Sequence, residues 1–258
     1  MFRNGNSFWS AMPPVTKNLI IINVIIWIAM IVFPHATSEK VLDIAGLHYW
    51  KGDDFNVAQL LTYMFMHDTG SIAHLFFNMF TLFMFGITLE RVLGGGRFLF
   101  YYITCGVGAA LIQEFTWMLT AEDLAVKVLA NAYGVDFPEM ADAIKRVDMG
   151  FSVGSVGESL QMIYNHYLVT IGASGAIYGV LLAFGMLFPN RPLYLMFIPV
   201  PIKAKWMVLG YGLIELALGV SSANDGIAHF AHLGGMIFGV LLILYWKHQG
   251  VIRRNDFY

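Results

Sequence analysis

The chain has 258 residues, of which 58% are hydrophobic and only 12% charged, with a mean hydropathy of +0.65. Soluble domains carry about a quarter charged residues, so a water-soluble globular domain is excluded and an all-α polytopic membrane protein is expected. The formal net charge of −2 says little by itself, no nucleic-acid partner is expected, and the lone Cys105 excludes an intrachain disulfide framework.

Residues 1–17 are short and polar and read as an N-terminal segment before the membrane domain, which is expected over 18–247. The first apolar run ends at Pro34 and predicts a span over about 18–34. Residues 35–71 are mixed in character and predict an interfacial loop with short helices. A second span is expected over about 72–89, closed by a turn at Glu90-Arg91 and Gly94-Gly95-Gly96, and a third over about 97–119. Charge returns in 120–165, an insertion too long for a plain turn. It predicts short amphipathic helices at 121–132 and 138–147. The fourth span is expected over about 167–188. A stretch between prolines at 193–201 is too short to cross, and the fifth and sixth spans follow over about 205–220 and 227–246. Residues 248–258 form a polar tail.

Six spans put both termini on one side, and lysine and arginine set the orientation. With both ends inside, the inner segments hold ten of these residues, among them Arg91, Arg97, Arg191, Lys203 and Lys205. The longer outer loops hold five: Lys40, Lys51, Lys127, Lys145 and Arg146. An N-in, C-in bundle is therefore expected. A compact chain of this kind points to a cell membrane, a prokaryotic cytoplasmic membrane in particular.

Spans two, four and six then run in the same direction, and each carries polar residues in its first turns. The second has His74 and, four residues on, Asn78, on one helical face. The fourth has Ser174, expected about seven residues in, and the sixth has His229 and His232. Ionisable and polar groups at membrane depth are costly and mark function. A serine hydroxyl becomes a nucleophile when a neutral imidazole takes its proton, and Ser174 with a histidine of span six meets that need. His74, Asn78 and the backbone N–H groups near Ala173-Ser174 are candidates to hold an oxyanion. No acid stands out as a third member, since Asp225 lies outside the helix start, so a dyad is favoured over a triad. Gly175 and Gly179 on span four, and Gly235 and Gly239 on span six, are each four apart. Such small-residue faces let helices cross closely. Tyr178 sits one turn below Ser174, on its face.

These residues resemble a known family. Gly172-Ala173-Ser174-Gly175 matches the GxSG motif of rhomboid intramembrane serine proteases, and Ala231-His232-Leu233-Gly234-Gly235 through Gly239 looks like their AHxxG…G motif. His74-Leu75-Phe76-Phe77-Asn78 resembles their HxxxN motif, and Glu90-Arg91-Val92-Leu93-Gly94 the turn that follows it. The resemblance covers spans two to six. It implies a six-helix rhomboid-like bundle with Ser174 as nucleophile and His232 as general base. It implies His74, Asn78 and the N–H of Ser174 as the oxyanion hole, and Tyr178 as the aromatic under the imidazole. The implied reaction is hydrolysis of a peptide bond in or beside a transmembrane segment of a single-span or multi-span membrane protein, within the lipid bilayer, without metal or cofactor. One departure is Ala58-Gln59, where the family often has Trp-Arg, which leaves the anchoring of the first loop open.

Blander readings apply elsewhere. His229 is expected at the surface or behind the site, and His35 and His67 in loops. Glu114 and Glu215 are acids within spans that bond to neighbouring helices or line a polar cavity, structure being favoured for Glu215. A catalytically silent rhomboid-like protein that binds transmembrane segments is the alternative; it would be expected to lack Ser174 or His232. A small transporter would need internal repeat symmetry, and none is visible. The sequence names neither a substrate nor an oligomeric state.

Overall fold

The computed structural model describes residues 12–195, 198–221 and 228–252. Asp225, with the turn around it, and the outermost residues of both termini lie outside the described residues. The protein is mostly helical. Helix α1 (Pro14–Val32) starts with a proline in its first turn, where the missing N–H costs nothing, and stops before Pro34. The first loop holds α2 (His35–Ala45), the short strand β1 (Leu47–His48) and α3 (Gln59–Thr62), which runs into a 3-10 turn at Tyr63–Phe65. Next come α4 (Ile72–Thr81), a π-helical turn (Leu82–Gly86) and α5 (Ile87–Leu93), one continuous apolar stretch. Gly94, at φ 79°, turns the chain into α6 (Gly95–Tyr133).

Helix α6 corrects one expectation. Residues 121–132 are not a separate amphipathic helix but the far end of a 39-residue helix. At 1.5 Å per residue it is about 58 Å long, roughly twice the hydrocarbon thickness of a bilayer. No proline or glycine breaks it between Gly108 and Gly134, which explains its persistence. Its end packs with α7 (Phe137–Asp148) and α8 (Val156–Tyr167) around buried Ala125, Leu129, Ile144, Leu160 and Ile163.

A second correction concerns the fourth span. Tyr167 ends α8, and residues 168–173 are not helical. Strand β2 (Val169–Thr170) pairs antiparallel with β1, Leu47 opposite Thr170 and His48 opposite Val169, and α9 begins only at Ser174 and ends at Leu187. A hairpin of β3 (Pro192–Leu195) and β4 (Ile198–Lys203) occupies the short stretch between prolines. Helices α10 (Ala204–Val220) and α11 (His229–His248) complete the chain.

Among the described residues, four helical stretches are long and apolar enough to cross a membrane: Pro14–Val32, Ile72–Leu93, Gly95–Tyr133 and His229–His248. Helix α9 is apolar but has only 14 residues. Helices α6, α9 and α11 form the centre of the bundle. They cross closely because glycines leave room for side chains of α6: a Cβ on Gly179 would lie 2.4 Å from Sγ of Cys105, and one on Gly239 2.4 Å from the Tyr101 hydroxyl. That hydroxyl donates to the carbonyl of Gly179 at 2.7 Å. At the opposite end of α4–α5, the buried carboxylate of Glu90 caps α1. It accepts from the N–H of Val15 (2.8 Å) and from the N–H (2.6 Å) and hydroxyl (2.8 Å) of Thr16.

The first loop is anchored by Gln59, at the departure from the family pattern. Its side chain accepts from the N–H of His48 at 3.1 Å and donates to the carbonyls of Asp43 at 3.0 Å and Asp54 at 2.8 Å. Glu114 on α6 accepts from the N–H of Trp50 at 3.1 Å, tying the same loop to the central helix.

Candidate active site

The local turn before α9 sets the serine. Gly172 has φ 122°, a conformation that side-chain-bearing residues rarely adopt. Its N–H is bound to the carbonyl of Tyr63 at 2.9 Å, and the Tyr63 hydroxyl to the carbonyl of Gly106 at 2.8 Å. The strand therefore ends inside the bundle, and Ser174 becomes the first residue of α9 rather than lying about seven residues into a longer span. The first N–H groups of a helix have no intrahelical acceptor and carry the positive end of its dipole. Ser174 thus combines a half-buried hydroxyl with unfilled backbone donors.

Helix α11 brings the histidine. His232 lies one turn into the helix and is buried. Its Nε2 is 2.8 Å from Oγ of Ser174. The close crossing at Gly175 and Gly235 makes this distance possible. Tyr178, one turn along α9, stacks on the imidazole with centroids 4.3 Å apart and planes 7° from parallel.

His74, the third residue of α4, faces the same turn. Its Nε2 lies 2.8 Å from the position that a Cβ on Gly172 would take, and Oγ of Ser174 lies 3.7 Å from that position. The N–H of Asp68 donates to Nδ1 of His74 at 3.4 Å, a long contact that favours the tautomer with its proton on Nε2. Asn78 is buried, and its amide donates to the carbonyl of His74 at 2.8 Å. An amide has two N–H donors, so this bond uses one. Ala173, the residue before the helix, is fully buried.

Glu215, for which the sequence favoured a structural bond to a neighbouring helix, reaches the site itself. It lies on α10, and its carboxylate reaches both neighbouring helices. The Tyr178 hydroxyl donates to Oε1, Nδ1 of His229 lies 2.6 Å from Oε2, and Nδ1 of His232 lies 3.0 Å from the same oxygen. The contact with His232 has the distance of an ion pair without the alignment of a hydrogen bond. Of the two places expected for His229, the structure gives the one behind the site, where it is buried. His67 sits between elements but is buried against the ring of His74, centroids 5.1 Å apart. His35 opens α2, with its side chain exposed.

Among the described residues, Glu215, His229 and His232 are also the group whose ligand atoms could converge on a cation, all within 4.8 Å of one another. The separations of 2.6 and 3.0 Å at Oε2 are those of hydrogen bonds and ion pairs, and the donors and acceptor complement one another without an ion.

The fold and site define a membrane-embedded helical bundle with a serine–histidine pair at the mouth of a short central helix. The model of the Rhomboid domain matches residues 54–126 and 132–249, well over half of the sequence, and the chain belongs to the rhomboid family. It is 28% identical over 168 residues to the mitochondrial Rhomboid protein 1 of Saccharomyces cerevisiae, a match over 65% of this chain and 36% of that protein. It is 26% identical over 243 residues to Rhomboid protease AarA of Providencia stuartii, over 88% of this chain and 70% of that protein. The chain thus aligns with little more than a third of the yeast relative's length.

Proposed function

We propose that the chain is an intramembrane serine endopeptidase that hydrolyses a peptide bond in or next to a transmembrane segment of a single-span or multi-span membrane protein. The observation that carries this reading is the 2.8 Å approach of His232 Nε2 to Ser174 Oγ inside an apolar bundle. The Rhomboid protease of Providencia stuartii among the relatives supports it.

In this reading Ser174 Oγ attacks the scissile carbonyl and gives its proton to Nε2 of His232. The carbonyl electrons move to oxygen, where the N–H of Ser174, Nε2–H of His74 and the amide of Asn78 receive the charge. The C–N bond breaks as His232 returns the proton to the leaving amine. Water then gives a proton to His232, attacks the acyl-enzyme and frees Ser174. Gly172 keeps the space between His74 and Ser174 open for the substrate oxygen. Gly175 and Gly235 let α9 and α11 approach, and Gly239 lets α11 approach α6.

The same proposal has six spans, with α9 and α10 adding to the four longer stretches, and both termini on the cytoplasmic side of a cell membrane, prokaryotic in setting. The first loop and 120–165 then lie on the outer side, where the serine opens.

A fluorophosphonate probe that acylates activated serines tests the reading. Labelling mapped to Ser174, and lost in His232→Ala with the fold intact by thermal melting, is the expected result. Labelling absent from the wild type would move the reading to a silent binding protein, and labelling unaffected by His232→Ala would remove His232 as the base.

A further inference from the structure

We propose that Glu215 is the positioning carboxylate of this site, the third member of a Ser174–His232–Glu215 array, held in place by His229 and Tyr178. The inference rests on the serine-protease reading and goes beyond the dyad favoured from sequence.

The argument begins with cost. A carboxylate buried in an apolar bundle is expensive unless its oxygens are occupied. Those of Glu215 are: the Tyr178 hydroxyl donates to one, and the Nδ1 atoms of His229 and His232 face the other at 2.6 and 3.0 Å. Contacts to Tyr178 and His229 alone would join α10 to α9 and α11. The third contact, to the histidine that faces the serine, is the one a purely structural acid does not need.

Proton accounting gives that contact its meaning. A neutral imidazole carries a single N–H. To take the proton of Ser174, Nε2 of His232 must be the bare nitrogen, so the proton belongs on Nδ1. An ionised carboxylate only accepts, so Oε2 beside Nδ1 selects that tautomer. When Ser174 forms its bond to the scissile carbon, its proton moves to Nε2 and the imidazole becomes a cation. Glu215 stays ionised and faces that cation, as an acid behind a catalytic histidine does. When the amide bond breaks, the proton leaves Nε2 for the amine and the neutral tautomer returns. Catalytic hydrogen bonds are often misaligned before substrate binds, which fits the off-line approach at 3.0 Å.

Tyr178 then has two tasks. Its ring stacks on the imidazole and its hydroxyl holds Oε1, so one side chain fixes both His232 and the acid behind it. The 2.6 Å contact of His229 fixes the oxygen that His232 uses.

The test uses the full chain, with histidine rings labelled with nitrogen-15, in detergent micelles. His232 is assigned by the loss of its signals in His232→Gln. The expected result at pH 8 is a proton on Nδ1 in the wild type, and a shift to the Nε2-protonated or mixed form in Glu215→Leu. In parallel, kcat on a single-span reporter falls by about ten- to a hundredfold in Glu215→Gln while KM stays within about twofold. Glu215→Asp, which keeps the charge, recovers part of the loss. An unchanged His232 tautomer in Glu215→Leu, or a kcat within about threefold of wild type in Glu215→Gln, overturns the proposal. Should Glu215→Leu fail to fold by thermal melting, the kcat of Glu215→Gln decides. Should the reporter be cleaved equally by Ser174→Ala, the protease reading fails, and the tautomer measurement still decides on Glu215.

Discussion

The carbonyl oxygen of Gly175 occupies the space that a side chain on Gly235 would need: a Cβ there would lie 1.8 Å from it. Backbone meets backbone at this crossing, so nothing flexible can move aside. The spacing between Ser174 and His232 is set one residue away on α9 and three on α11. Gly235→Ala should therefore push α11 off α9. Overpacking of this kind costs about 1–3 kcal/mol, and a displacement of even about 1 Å is felt strongly in the chemistry. The expected outcome is a lower melting temperature with activity down at least about tenfold. Wild-type melting and turnover would show that the crossing is looser than described.

Gln59 makes a second prediction. It is fully buried, and its amide serves the N–H of His48 and the carbonyls of Asp43 and Asp54. Gln59→Ala leaves those groups without their partner, at a cost of about 1–3 kcal/mol for the first alone. The β1–β2 pairing that precedes Gly172 rests on the same loop, so activity should fall together with thermal stability. A variant as stable as wild type would place the anchoring of the loop elsewhere.

His67 supplies the pH dependence. Burial, and then the nearby His74, pull its pKa down from 6.5 to about 4. In the unfolded chain the ring takes up a proton near pH 6.5; in the folded chain it does so only near pH 4. The unfolded state binds more protons in between, so stability is full above about pH 6.5 and declines as the pH falls towards about 4. Melting curves of wild type and His67→Gln over this range should diverge, with the variant less sensitive to acid. Parallel curves would contradict the assignment.

Much of the arrangement was legible in the sequence, and the failures have physical reasons. Ser174, His232, His74 and Tyr178, which the structure brings together, stood out because polar groups and small-residue spacing are conspicuous against an apolar background. The start of α9 was misjudged because Tyr167 to Ala173 is apolar enough to continue a helix. What stops it is tertiary: pairing with β1, and the bond from Gly172 to Tyr63. The 121–132 segment was set apart by its charges, yet charges on the exposed end of a long helix do not interrupt it. Glu215 was read as a structural acid and not joined to His232 because the two are 17 residues apart along the chain. Counting from the facing ends of α10 and α11 puts the two at similar depth, and that comparison would have found it.

The most direct test of the central claim is cleavage of a single-span reporter by the purified chain in liposomes, with Ser174→Ala alongside. The account predicts a cut within or next to the reporter's transmembrane segment by wild type and none by Ser174→Ala, both proteins melting alike. A cut that persists in Ser174→Ala would contradict it.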